Sequence, residues 1–388
     1  MYELCFRNIR IFDPANNIDF YGDLAIENGK IAAFGENLTG DALREIHIEN
    51  GIICPGLVDV HTHTGNPDAV WRAVPVDDCG VNTGVTLIGD AGTAGYANWD
   101  TMIHSWSNAK TRVKPFIHIH PYGIKDLPEP WDHPLNFDLC QKKIEESPIP
   151  VFGIKIRAIA QFAKRYGVKG LEDVKKFSSS MKLPLMVHTG TEPDDAIPAC
   201  WEDFTRASCE LLEKGDILSH FFTAKRGGLI TKDRRFYETI LKARQRGVIF
   251  DTAVAIDNCN FTVAQQAIED GLMPDTISTD LTARNAHRVA FDLPTTMSRF
   301  YTAGLTIKQI FLCVTHNATL ALGEEYTGIA SGVTANLTLL EQIPSITQFG
   351  EGDDIQNGCC RWIPHCIVFG NSVIPASSRL PVKTGENI

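Results

Sequence analysis

The chain has no run of Lys or Arg longer than two and carries a formal net charge of −11. Both features argue against a surface built for nucleic acid or an anionic membrane, and they make a small molecule the expected partner. No stretch approaches the roughly 18 uninterrupted apolar residues that a membrane span needs. The first residues, Met1-Tyr2-Glu3-Leu4-Cys5, lack the basic segment and apolar run of an export signal. The 11 cysteines are odd in number and, apart from Cys359-Cys360, scattered without CxxC spacing. That indicates neither a disulfide framework nor a thiolate zinc site, and it suits a reducing cytoplasm. No GxGxxG opens a helix after the first strand of the central region, which weighs against a doubly wound dinucleotide-binding sheet. Internal repeats and low-complexity segments are also missing.

What is present suits one barrel of about 250 residues with a smaller companion. From Leu4 to about Cys54 short strands are expected at Leu4 to Ile11, Asp23 to Ile26, Lys30 to Phe34 and Ile46 to Ile53. Asn28-Gly29 and Asn50-Gly51 mark tight turns between them. Pro55-Gly56 breaks this unit, and the rhythm changes to strand, loop, helix. Eight strands are expected at Leu57–His63, Val85–Asp90, Pro115–His120, Val151–Arg157, Pro184–His188, Asp216–His220, Val248–Asp251 and Thr276–Asp280. Helical patterns at Asp138–Ser147, Glu172–Ser180, Asp203–Lys214, Asp233–Gly247 and Thr262–Gly271 alternate with them. Eight β–α alternations are the arithmetic of an α/β (β/α)8 TIM-type barrel. Short-strand character returns at Ala335–Leu340, His365–Phe369 and Ser372–Ile374, with Gly350–Gly358 as a loop. The expected division is therefore residues 55–324 as the barrel, and residues 1–54 with 325–388 as a small β-sandwich domain formed from both chain ends.

Barrel active sites lie at the C-terminal ends of the strands, and several of these strands end in metal-ligand types. In Gly56-Leu57-Val58-Asp59-Val60-His61-Thr62-His63 the alternation puts His61 and His63 on one face, about 7 Å apart along the strand. That spacing lets both reach one metal ion. Taken alone, the pair reads equally as a surface strand that happens to hold two histidines. His188, His220 and Asp280 end the fifth, sixth and eighth strands. In Val151–Arg157 the alternation sets Phe152, Ile154 and Ile156 under the helices and turns Lys155 and Arg157 to the axis. Burying an ammonium without a partner costs several kcal/mol or favours the neutral amine, and a neutral lysine can add carbon dioxide to give an anionic carbamate. A salt bridge from Lys155 to a carboxylate such as Asp90 is the alternative. Phe116-Ile117-His118-Ile119-His120 is a rival HxH, but no other ligand type flanks it. Arg157 could hold a substrate carboxylate or an internal ion pair.

Pro55 to His63, with Lys155, His188, His220 and Asp280 at strand ends, resembles the amidohydrolase superfamily in its binuclear branch with a carboxylated lysine. Gly84-Val85-Thr86, Asp90 to Gly95, Gly153 to Arg157, Leu183 to His188 and Pro274 to Asp280 are similar, more narrowly, to the amidohydrolase/deacetylase group of dihydroorotase-like metallohydrolases. The resemblance implies two divalent metal ions, expected to be Zn2+. His61, His63 and Asp280 would hold the more buried ion, and His188 and His220 the more exposed one. N6-carboxylated Lys155 would bridge the two together with a water or hydroxide. Asp280 would be both ligand and general acid/base. His120, Arg157, Asn258 and Thr282 are the expected substrate contacts. Where the subgroup has a Cys-Phe-Asn-Gly-like turn after His220, this chain has Phe221-Phe222-Thr223-Ala224-Lys225. Where it has a Gly-His-Gly-like loop after Asp251, this chain has Thr252-Ala253-Val254-Ala255-Ile256-Asp257-Asn258. These departures leave the metal chemistry in place and the substrate open. His316 in Thr315–Gly323 is expected to be structural, and Asn336 stands where relatives carry Asp, with no function attached.

The expected function is hydrolysis of an amide or ester acyl bond, such as deacetylation, in a small carboxylate-bearing substrate, by attack of a metal-bridging hydroxide. A cyclic amide hydrolase acting on a hydantoin, imide or dihydroorotate-like ring is close behind. A mononuclear deaminase and a non-catalytic scaffold on the same fold are further alternatives. A homo-oligomer is left open.

Overall fold

In the computed structural model the described residues are 1–127, 130–191 and 201–381. The chain opens with β1 (Tyr2–Asp13), β2 (Ile18–Glu27), β3 (Lys30–Gly35), β4 (Ala42–Ile46) and β5 (Gly51–Pro55). Asn28 and Gly29 both take positive φ, as a two-residue hairpin turn between β2 and β3 requires. The single strand expected over Ile46–Ile53 is split into β4 and β5, because Asn50 adopts a left-handed conformation (φ 53°) that ends any extended run. Both pieces pair parallel to β1. The other chain end returns as β13 (Asn336–Phe349), β14 (Gln356–Phe369) and β15 (Ser372–Pro375), and β13 pairs antiparallel with β5. All eight strands form one mixed sheet, order β15-β14-β13-β5-β1-β2-β3 with β4 beside β1. The loop expected over Gly350–Gly358 shrinks to a short connection, since β13 runs on to Phe349 and β14 starts at Gln356. These two strands pair antiparallel as a long hairpin.

Between the two ends lie β6 (Leu57–Thr62), β7 (Val85–Asp90), β8 (Arg112–His118), β9 (Gly153–Arg157), β10 (Leu185–His188), β11 (Ile217–Ser219) and β12 (Ile249–Asp251). They form a parallel sheet in sequence order, with helices such as Phe137–Glu146, Ala160–Met181, Trp201–Glu210, Tyr237–Arg246 and Phe261–Glu269 in the connections. The eighth expected strand is not a regular one. Thr276–Leu281 joins its neighbours only by isolated bridges, Asp251 to Thr276 and Thr62 to Leu281. Two causes are local. The buried carboxylates of Asp59 and Asp251 capture the hydroxyls of Thr276, Ser278 and Thr279 and the Thr279 N–H, and Asp280 turns to φ 49°. Backbone bonds Val254 N–H to Ser278, Ala255 N–H to Thr279 and Asp280 N–H to His61 still tie the segment to both sides, so the barrel is nearly closed.

Parallel strands put like ends together. Toward their N-terminal ends Val58, Val60, Leu87, Phe116, Met186 and Ile217 pack as one apolar floor, joined by Phe152. Phe152 precedes the strand proper, so the alternation that seats Ile154 and Ile156 against the helices does not extend to it. The polar strand ends collect above that floor.

Candidate metal centre

The six expected ligand residues converge. His61, His63 and Asp280 have donor atoms within 4.8 Å of one another. Asp280 Oδ1 lies 3.2 Å from His63 Nε2 and 3.6 Å from His61 Nε2, and Asp280 Oδ2 lies 3.9 Å from His220 Nε2. The His188 ring stands edge-on to that of His220 at 4.0 Å. Lys155 Nζ is 3.3 Å from His61 Nε2. All six are buried, none more than 7% exposed. Room for the lysine stem comes from Gly92. A Cβ there would sit 2.7 Å from Lys155 Cβ, and its φ of 79° suits glycine.

The surroundings decide which imidazole nitrogen faces the centre. His220 Nδ1 meets the Ala253 carbonyl at 2.8 Å. A carbonyl only accepts, so Nδ1 carries the hydrogen and Nε2 presents a lone pair, which has no hydrogen-bond partner and is buried. His63 Nδ1 meets Thr93 Oγ1 at 3.1 Å, and that hydroxyl gives its own hydrogen to Asp90 at 2.6 Å. His61 Nδ1 meets Ser219 Oγ at 3.0 Å and Asp251 Oδ2 at 3.5 Å. Each ring is thus held from behind by an oxygen, with Nε2 aimed at the same small space. This is how metal-ligating histidines are oriented, and the donor set, imidazole and carboxylate, fits zinc-type ions.

The electrostatics agree. Burial holds His61, His188 and His220 well below the ordinary imidazole range. Burial works to raise the Asp280 carboxyl, but His61, His63 and His220 outweigh it and hold the group strongly down, hence ionised. Burial pushes Asp59 up to about 7 and Asp251 up to about 6, against the hydrogen bonds from Thr279 and from Ser278 and Thr276. The backbone is strained here too. His220 (φ 66°) and Asp280 (φ 49°) are both left-handed, at a cost on the order of 1–3 kcal/mol each.

A cavity of about 450 Å³ opens over the cluster, and His63, Lys155, His188 and Asp280 line it. A model of the amidohydrolase family matches residues 52–361 of the sequence. The chain belongs to the amidohydrolase family. A deacetylase of Enterococcus faecalis is 33% identical over 300 residues, which is 76% of this amidohydrolase and 78% of that protein. A crystal structure of a dihydroorotase is similar with a TM-score of 0.85 at 25% identity, covering 98% of this chain and 100% of that one. A crystal structure of an adenine deaminase is similar with a TM-score of 0.82 at 27% identity, covering 97% and 100%.

Of the expected substrate contacts, the amidohydrolase places Arg157, Asn258 and Thr282 in the cavity wall. Asn258 Nδ2 donates to Asp280 Oδ2 at 3.4 Å. His120 is not among the described wall residues. It is 3% exposed, its ring 5.2 Å from Trp131 and its Nε2 3.4 Å from the Pro130 carbonyl. The rival His118 is fully buried and its Nδ1 accepts the His120 N–H at 2.9 Å. Sequence reasoning missed Arg72 and Arg284, which line the cavity with Lys225. Arg284 follows Asp280 by four residues on the same loop, which was the available signal. Arg72 carried none, because it lies in the long loop after β6 and reaches the wall by stacking on Trp71. Lys225 pairs with Asp257 at 3.1 Å. Among the described residues no helix is long and apolar enough to cross a membrane.

Proposed function

We propose that this amidohydrolase removes an acyl group, such as acetyl, from the nitrogen or oxygen of a small substrate that carries a carboxylate. The observation that carries the reading is the convergence of buried, backside-oriented imidazole Nε2 atoms with Asp280 and Lys155 under a cation-lined cavity. The deacetylase relative supports the reaction class. In this reading His61, His63, His188, His220, Asp280 and an Nζ-carboxylated Lys155 would hold two zinc ions. When bound, such a pair lowers the pKa of water to near neutrality and polarises an acyl carbonyl.

The chain's own groups do the rest. Asp280 Oδ1 faces His61 and His63, leaving Oδ2, beside Asn258, as the oxygen that takes the proton of the attacking water and returns it to the leaving group. Asn258 fixes that oxygen's direction. Arg157, at the end of β9 and nearer the mouth than Lys155, holds the substrate carboxylate as a fork. The apolar side chains of Ile124, Ile159 and Ile256 exclude water from the wall.

A second reading, opening of a cyclic amide, has the dihydroorotase likeness in its favour. We also read Thr276–Leu281 as the eighth stave of a (β/α)8 barrel over residues 55–324, and the mixed sheet as a β-sandwich domain of residues 1–54 and 325–388. The free cysteines, with no disulfide among the described residues, support a cytoplasmic site of action, and no macromolecular partner is invoked.

The test is a hydrolysis screen of the zinc-loaded protein on N-acetyl amino acids, O-acetyl hydroxy acids and cyclic amides. Turnover of an acetylated acid with release of acetate is expected. Ring opening without deacetylation selects the second reading, ammonia release from an amino heterocycle selects a deaminase, and inactivity on every class with metal bound overturns the hydrolase.

A further inference from the structure

The wall residues Ala255 to Asn258 belong to a loop, Thr252 to Asn260, that is strained and held at two ends. Ala253 (φ 41°) and Ala255 (φ 52°) both occupy the left-handed region that alanine disfavours. Such conformations persist only where the surroundings over-determine them. The near end is fixed by the barrel. Ala253 N–H donates to Ser278 Oγ at 3.1 Å, Ala255 N–H to the Thr279 carbonyl at 2.9 Å, and the Ala253 carbonyl receives His220 Nδ1. The far end is fixed from outside the barrel sheet. Asp354, in the turn of the β13–β14 hairpin, accepts the Phe261 N–H at 2.8 Å on Oδ1. Its Oδ2 lies 3.1 Å from Arg299 Nη2. The same Nη2 reaches the Cys259 carbonyl at 3.2 Å, and the guanidinium lies on the Phe261 ring at 4.2 Å.

Arg299 is 2% exposed, and its Nε and Nη1 meet no acceptor among the described residues. A buried, incompletely satisfied guanidinium is an expensive way to fill space. Its service is positional. It joins the hairpin tip to the residue next to Asn258, whose amide touches Asp280.

We propose that Asp354 and Arg299 are positioning residues, through which the hairpin of the mixed sheet sets the cavity wall at Asn258 and the carbonyl that orients His220. This rests on the proposed hydrolase reading for its kinetic consequence, but not for its structural one.

The experiment compares Asp354→Ala, Asp354→Asn and Arg299→Lys with Arg288→Ala, which removes the separate exposed hairpin ion pair to Glu351. Amide exchange is read first and needs no substrate. Faster exchange confined to residues 252–262 is expected in the three variants and not in Arg288→Ala. Unchanged exchange there, or equal acceleration across the whole chain, overturns the proposal even if no substrate is ever found. With a substrate from the screen, Asp354→Ala should lower kcat/KM on the order of 10-fold, while in an Asn258→Ala background the same change should cost far less. An equal loss in both backgrounds also overturns it.

Discussion

The two halves of one cavity are built differently. The inner half is carried on strand ends. His61 sits near the end of β6, Lys155 and His188 sit within β9 and β10, and the imidazoles of His61, His63 and His220 are backed by an oxygen on another strand or on the turn just beyond one. The outer half is carried on loops, with Arg72, Lys225, Ala255 to Asn258, Thr282 and Arg284 reaching it from the connections after β6, β11, β12 and the Thr276–Leu281 segment. Strands at fixed spacing hold a donor set rigidly, whereas loops can be exchanged without disturbing it. The difference teaches why the chemistry can be named more firmly than the substrate.

The sharpest way to break the contrast is at Lys155. Lys155→Ala should take turnover below detection and be partly rescued by small carboxylic acids with added metal; full activity in the variant would refute a bridging role. Next comes the backing of the inner half. Thr93→Val keeps the shape but deprives His63 Nδ1 of its oxygen, and zinc affinity, measured by competition with a chelator, should fall about 10- to 100-fold. A change at the mouth of the cavity, on a strand end that carries no expected metal contact, should behave otherwise. Arg157→Met should leave zinc affinity alone and raise KM for anionic substrates about 10-fold or more, from the loss of a charged hydrogen bond, while sparing neutral ones. Equal losses on both substrate types would count against it.

The smallest effect is on stability. Burial holds the folded-state values of His61, His188 and His220 below the unfolded one, so the unfolded chain takes up more protons as pH falls through about 6.5. Metal-free protein should therefore unfold more easily in denaturant below that pH and be level above it. A midpoint that rises on acidification would contradict neutral buried imidazoles.

The same division separates what could be read from the chain from what could not. The barrel strands and the polar residues that converge at their ends were legible because alternation within five or six residues fixes a face, and histidine, lysine and aspartate are conspicuous there. The eighth segment misled because Thr276, Ser278 and Thr279 have strand-like character, yet their hydroxyls answer to Asp59 and Asp251 rather than to a ladder. His120 has its expected place on the strand, with the Pro130 carbonyl and the Trp131 ring against it, contacts that no local pattern announces. The backing of His61 by Ser219 and the anchoring of the Asn258 loop by Arg299 and Asp354 join residues many tens of positions apart. No local pattern announces such pairs.

The central claim is that the strand-end donors hold a pair of metal ions joined by a modified Lys155. Metal analysis of the native protein, paired with intact mass under non-denaturing conditions, tests it most directly. The account predicts two zinc equivalents per chain and the added mass of one carbon dioxide, both lost in Lys155→Ala; a single equivalent with an unmodified lysine would contradict it.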